Sequence, residues 1–146
     1  MTSFAGWNRK SYWRKFFVNI SLSPVEGDVD LLGKKTEDLQ TGIIISDDKI
    51  TGILKNVTDY TGFSSDVDEQ SGHYLAVKTG TVENYGYVNF VVELIGGTKG
   101  PVRLDADNTI VLLIKDTDTQ SIKVTATNGT DEVSKNYIIT DLVLEE

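Results

Sequence analysis

The sequence predicts an all-β protein: an antiparallel β-sandwich, Ig-like or jelly-roll-like, preceded by an N-terminal aromatic-basic segment. Three observations predict it. Five strand-like runs occupy the second half of the chain, at 73–79, 87–95, 109–115, 121–127 and 133–144. Between them stand Gly96-Gly97, Gly100-Pro101, residues 105–108, residues 116–118 and Asn128-Gly129, all of them turn-forming residues. Along 121–127, Ile122, Val124 and Ala126 alternate with Ser121, Lys123 and Thr125, the period of a half-buried antiparallel strand. Thirteen glycines and two prolines distributed among short strands suit a sandwich or barrel.

The elements follow in order. Residues 11–22 carry two periodicities. Trp13, Phe16, Phe17 and Ile20 match a helix, whereas Tyr12, Phe16, Val18, Ile20 and Leu22 match one face of a strand. β-Branched and aromatic enrichment favours a strand from about Phe16, and Ser23-Pro24 with Gly27 ends it. Residues 29–41 read as a linker or a single helical turn. Ile43 to Ser46 and Lys49 to Leu54, joined by Asp47-Asp48, read as a tight hairpin. Residues 61–66 and 70–72 read as loops. These readings divide the chain into an attachment segment and linker, 1–41, and a sandwich domain, 42–146. Asn128-Gly129 is the strongest hairpin signal, because both residues tolerate positive φ.

The 146 residues can bury a core without staples, and there is no cysteine for a disulfide, a thiolate nucleophile or a Cys-type metal site. No apolar stretch is long enough to span a bilayer, and no signal-peptide core follows the N-terminal cations. Charge is divided sharply. Residues 1–25 hold Arg9, Lys10, Arg14 and Lys15 and no acid, a net +4; the other ten basic residues face all 22 acids, a net −12, and the total is −8. An acidic body argues against a phosphate-tracking nucleic-acid binder.

Catalytic chemistry finds little to stand on. His73 is the only imidazole, no G-x-S-x-G elbow presents a serine, and no spacing singles out a carboxylate pair, so no catalytic residue is assigned. The pairs Asp28/Asp30, Asp66/Asp68, Asp105/Asp107 and Asp116/Asp118 hold the oxygens calcium prefers. The closest to a loop motif, Asp105-Ala106-Asp107-Asn108-Thr109, lacks the glycine and distal glutamate of an EF-hand, and turn formation is the favoured reading. No metal or cofactor is assigned. Sequons begin at Asn19, Asn56 and Asn128, and the third reads better as a turn.

The segment from Trp7 to Phe17 packs four cations and five aromatics into eleven residues. It reads either as a first strand with core aromatics and solvated cations, or as a docking surface. Trp7, Arg9, Lys10, Tyr12, Trp13, Arg14, Lys15, Phe16 and Phe17 are the candidate interface, since Trp, Tyr, Phe and Arg are the usual anchors. Neither nucleic acid nor a membrane is the expected partner. Deleting 1–22 is expected to leave a soluble sandwich that no longer attaches or trimerises.

Three stretches, 7–17, 49–63 (KITGILKNVTDYTGF) and 108–115, resemble small proteins encoded beside major capsid genes in tailed phages and prophages of Gram-positive bacteria, described as head fibre or capsid decoration proteins. The resemblance implies a non-enzymatic virion part on the capsid exterior. Its partner would be the major capsid protein, with homo-oligomers, trimers above all, and a surface glycan as a further ligand. The alternatives are a carbohydrate-binding β-sandwich module and a tail or baseplate component.

Overall fold

The computed structural model describes residues 18–31, 33–60, 70–84 and 88–146. In chain order their elements are β1 (Val18–Pro24), the helical turn α1 (Thr36–Leu39), β2 (Gln40–Ser46), β3 (Lys49–Leu54), β4 (Asn56–Tyr60), β5 (Gln70–Asn84), β6 (Asn89–Ile95), β7 (Lys99–Leu104), β8 (Thr109–Ile114), β9 (Ser121–Thr127), β10 (Glu132–Ile138) and β11 (Leu142–Leu144). The all-β sandwich is therefore the fold. Its strands lie in two sheets, one ordered β1-β5-β8-β7 with β4 also on β5, the other β11-β3-β10-β9-β6 with β2 also on β3.

Two strands have an edge shared by two partners. β2 runs antiparallel along β3 from Gln40↔Leu54 to Ser46↔Lys49 and fills one edge. On the other edge, β10 at Ile138↔Lys49 and β11 at Leu142↔Gly52 succeed one another, both parallel to β3. The single strand expected over 133–144 is thus two. A turn at 139–141, closed by Leu142 N–H donating to Ile139 O at 3.2 Å, steps the chain across, and the sandwich is mixed rather than purely antiparallel. In the other sheet, β8 takes one edge of β5, while β4 pairs with residues 70–73 and β1 with residues 77–84 of the opposite edge.

The main core lies between the sheets. Val18, Ile20 and Leu22 of β1, Leu75 and Val77 of β5, and Ile110, Leu112 and Ile114 of β8 meet Ile50, Leu94, Ile122, Val124, Ala126 and Tyr137 from the second sheet. Residues 18–41, assigned from sequence to the attachment segment and linker, therefore supply a core strand, a helical turn and the start of β2 to the body. Deleting 1–22 would remove three core side chains, so a truncation that tests attachment alone must stop at Phe17.

A second core lies on the far face of the first sheet. Tyr74 and Ala76 of β5 and Val111 and Leu113 of β8 pack under Leu31, Leu39, Val57 and Tyr60. All six residues of β8 are buried, which explains its unbroken apolar run: both faces of this strand are covered. Tyr60 donates its hydroxyl hydrogen to Leu31 O and accepts from Arg103 Nη1 at 3.2 Å, and its ring meets Tyr74 edge-on at 4.8 Å.

The Asp47-Asp48 hairpin forms as expected, with φ of 53° and 60° at the two residues, the positive pair a two-residue turn needs. Asn128-Gly129 differs: only Gly129 takes a positive φ, of 95°. Asn128 instead accepts the N–H groups of Thr130 and Asp131 through Oδ1, both at 2.8 Å, in a wider Asx-type loop. Residues 70–72, read as loop, begin β5, and Gly100-Pro101, read as a turn, lies inside β7. Proline is tolerated there because β7 ends its sheet and its register shifts between Lys99 and Val102. Gly100 is required because a Cβ would collide with Leu113 O.

Candidate functional site

All nine residues of the expected interface, Trp7 through Phe17, lie outside the described residues. What the structure supplies is the root of that segment. Val18, the first residue of β1, is 5% exposed and held in the main core. Beside this root an open groove of about 420 Å³ is lined by Val18, Asn19, Ile20, Val133, Ser134 and Lys135. It runs between β1 and β10, and Lys135 at its rim pairs with Asp48 at 3.3 Å.

The titratable residues weighed for chemistry are engaged in holding the fold. His73 Nε2 lies 2.6 Å from Glu145 O and fastens the C-terminal residues to β5. Asp116 is the hub of a loop clasp. Its Oδ2 accepts Thr98 N–H at 2.6 Å, while Oδ1 accepts Asp118 N–H at 2.9 Å and Thr119 N–H at 3.0 Å. These bonds, led by those from Thr98, hold its carboxyl below the usual aspartate range. Asp107 is likewise lowered, chiefly by the backbone N–H of Thr109. Asp30 accepts Gly33 N–H at 2.9 Å, Asp28 accepts Glu37 N–H at 3.1 Å, and Asp105 pairs with Arg103 Nε at 2.9 Å. Asp66 and Asp68 lie outside the described residues. Among the described residues no three His, Cys, Asp or Glu side chains gather as a metal site.

The feature that sequence reasoning missed is a sheet face. Six of the seven most exposed large apolar residues described, Ile44, Ile53, Val91, Ile95, Ile138 and Val143, lie on the outer side of the second sheet. The ladders place them together: Ile44 is opposite Thr51, Val143 opposite Ile53, and Ile138, Ser121 and Ile95 form one row across β10, β9 and β6. A parallel row runs Ser134, Thr125, Val91, with the Ser134 and Thr125 hydroxyls bonded at 2.9 Å. The lysines on this face are matched by acids, Lys49 with Asp141 at 2.8 Å and Lys123 with Glu93 at 3.9 Å. The signal was present in the runs Ile43-Ile44-Ile45, Val91-Val92 and Ile138-Ile139. Adjacent apolar residues in a strand point to opposite faces, so one of each pair must face outward.

No family model, curated protein or solved structure matches this chain.

Proposed function

We propose that this chain is a non-enzymatic virion structural protein, decorating or projecting from the exterior of a phage capsid. The observation that carries the reading is a division of labour. A +4 aromatic-basic segment is joined through a core strand to a β-sandwich of net charge −12. An attachment element suits the first part, because aromatic and guanidinium side chains anchor interfaces through desolvated contact. A solvent-facing head suits the second, since excess negative charge keeps such bodies apart and soluble. The engagement of His73, Asp107 and Asp116 in backbone hydrogen bonds supports a structural rather than a catalytic use of these groups. The sequence resemblance to head fibre and decoration proteins points the same way.

Mass spectrometry of gradient-purified particles from the source bacterium tests the reading. Recovery at high copy beside the major capsid protein is the expected result. Absence from intact particles would sink it.

A further inference from the structure

We infer that the outer face of the second sheet is a self-association surface that pairs with the same face of a second copy of this chain. The two sheets differ in one decisive respect. The outer side of the first is roofed by the chain's own Leu31, Leu39, Val57 and Tyr60, whereas the outer side of the second leaves Ile44 60%, Val91 56%, Val143 55% and Ile138 45% exposed.

Charge selects the occupant. A chain of net charge −8 repels its copies over most of its surface, but Ile138 is flanked on this face by Ser121, Asn136 and Lys49, and the lysines here, Lys49 and Lys123, are each paired with an acid. Around Ile138 two such faces bring together only paired charges, and Glu132, the acid of the same phase, sits at the far end of β10. The serine and threonine hydroxyls of the face can each donate and accept across such a contact.

Size sets the strength. Five ranks of strands at about 4.8 Å and seven residues at about 3.4 Å give a face of roughly 24 by 24 Å. A face-to-face pair then removes on the order of 1,000 Å² from water, the floor for a specific interface, so the complex is a weak, concentration-dependent dimer. Two-fold symmetry puts Ile138 near the middle of the contact twice, and one substitution acts on both copies.

The experiment is sedimentation equilibrium on the full chain across a concentration series, at low and high salt, for wild type, Ile138→Glu and Val143→Glu. Wild type is expected to dimerise more tightly as salt screens the acidic bodies, and each variant to weaken the dimer by about tenfold or more. Both positions are exposed, and circular dichroism confirms that at least one variant keeps the fold. A wild type that stays monomeric overturns the inference, as does association that the folded variants leave intact. Dimers that weaken with salt also overturn it, because that is the signature of residues 1–17 gripping an acidic body. A monomeric wild type whose Ile138→Glu variant fails to bind capsids overturns it too and assigns the face to the shell. The inference does not rest on the capsid reading, so the two fail separately.

Discussion

Gln40 stands where two strands stop short of each other. β4 covers residues 70–73 of β5 and β1 covers residues 77–84, which leaves the main chain of Ala76 without a strand on that edge. The Gln40 carboxamide fills the gap, donating from Nε2 to Ala76 O at 2.9 Å and accepting Ala76 N–H through Oε1 at 2.8 Å. Both residues are buried, so Gln40→Ala leaves two backbone groups unsatisfied at about 1–3 kcal/mol each. We expect a loss of about 2–4 kcal/mol in urea unfolding, with Gln40→Leu no better, since apolar volume cannot replace the bonds. Tyr74 sets a limit at high pH. Burial, then the neighbouring Tyr60, pushes its hydroxyl up to about 12 from 10.0. The folded state therefore holds this proton more tightly than the unfolded state. The contribution is fully present below pH 10.0 and is lost as pH rises towards about 12. Unfolding free energy measured through that window should fall, and the fall should be shallower in Tyr74→Phe; an identical slope would refute the assignment.

At the scale of elements, two glycines decide whether loops and edges close. Gly97 has φ of 61°, and a Cβ there would strike Asp116 Oδ1 and approach Thr119 N to 2.5 Å, the atoms of the loop clasp. Gly97→Ala is therefore expected to open the clasp and lower the melting temperature by several degrees, as is Gly100→Ala, whose Cβ meets the Leu113 carbonyl on β8. A thermal melt of each variant checks this; unchanged melting would show that the loops shift freely. These positions also show what was legible from sequence. The alternation of 121–127 and the Asp47-Asp48 turn are local signals, and both formed in place. β7 was hidden because its Gly-Pro pair means a turn in isolation and an edge strand only beside β8. β4 and the opening of β5 were hidden because their partners are each other, and no local pattern reports a pairing across residues 61–69. The exposed apolar sheet face was legible only as doubled apolar residues, which read as ordinary core until the outward phase of each strand is known.

For the whole molecule, the proposed attachment role can be tested at the point where the described residues begin. Here the junction is β1, whose Val18, Ile20 and Leu22 are core and whose ladder with β5 runs from Val18↔Asn84 to Pro24↔Val77. Two truncations that end five residues apart should therefore behave as different proteins. Removing residues 1–17 takes the +4 segment and leaves every described core residue, so the cooperative unfolding transition is expected to persist while capsid co-sedimentation is lost. Removing residues 1–22 also strips three buried aliphatic side chains and most of a strand ladder. Each such side chain is worth about 2–5 kcal/mol, against a typical total stability of about 5–15 kcal/mol. That chain should be unfolded or molten by near-ultraviolet circular dichroism. If the shorter truncation binds capsids as well as the full chain, the segment is not the anchor, and the shell contact must be sought on the sandwich itself. If the shorter truncation unfolds, residues before Val18 belong to the core, and their aromatics are packing rather than docking groups.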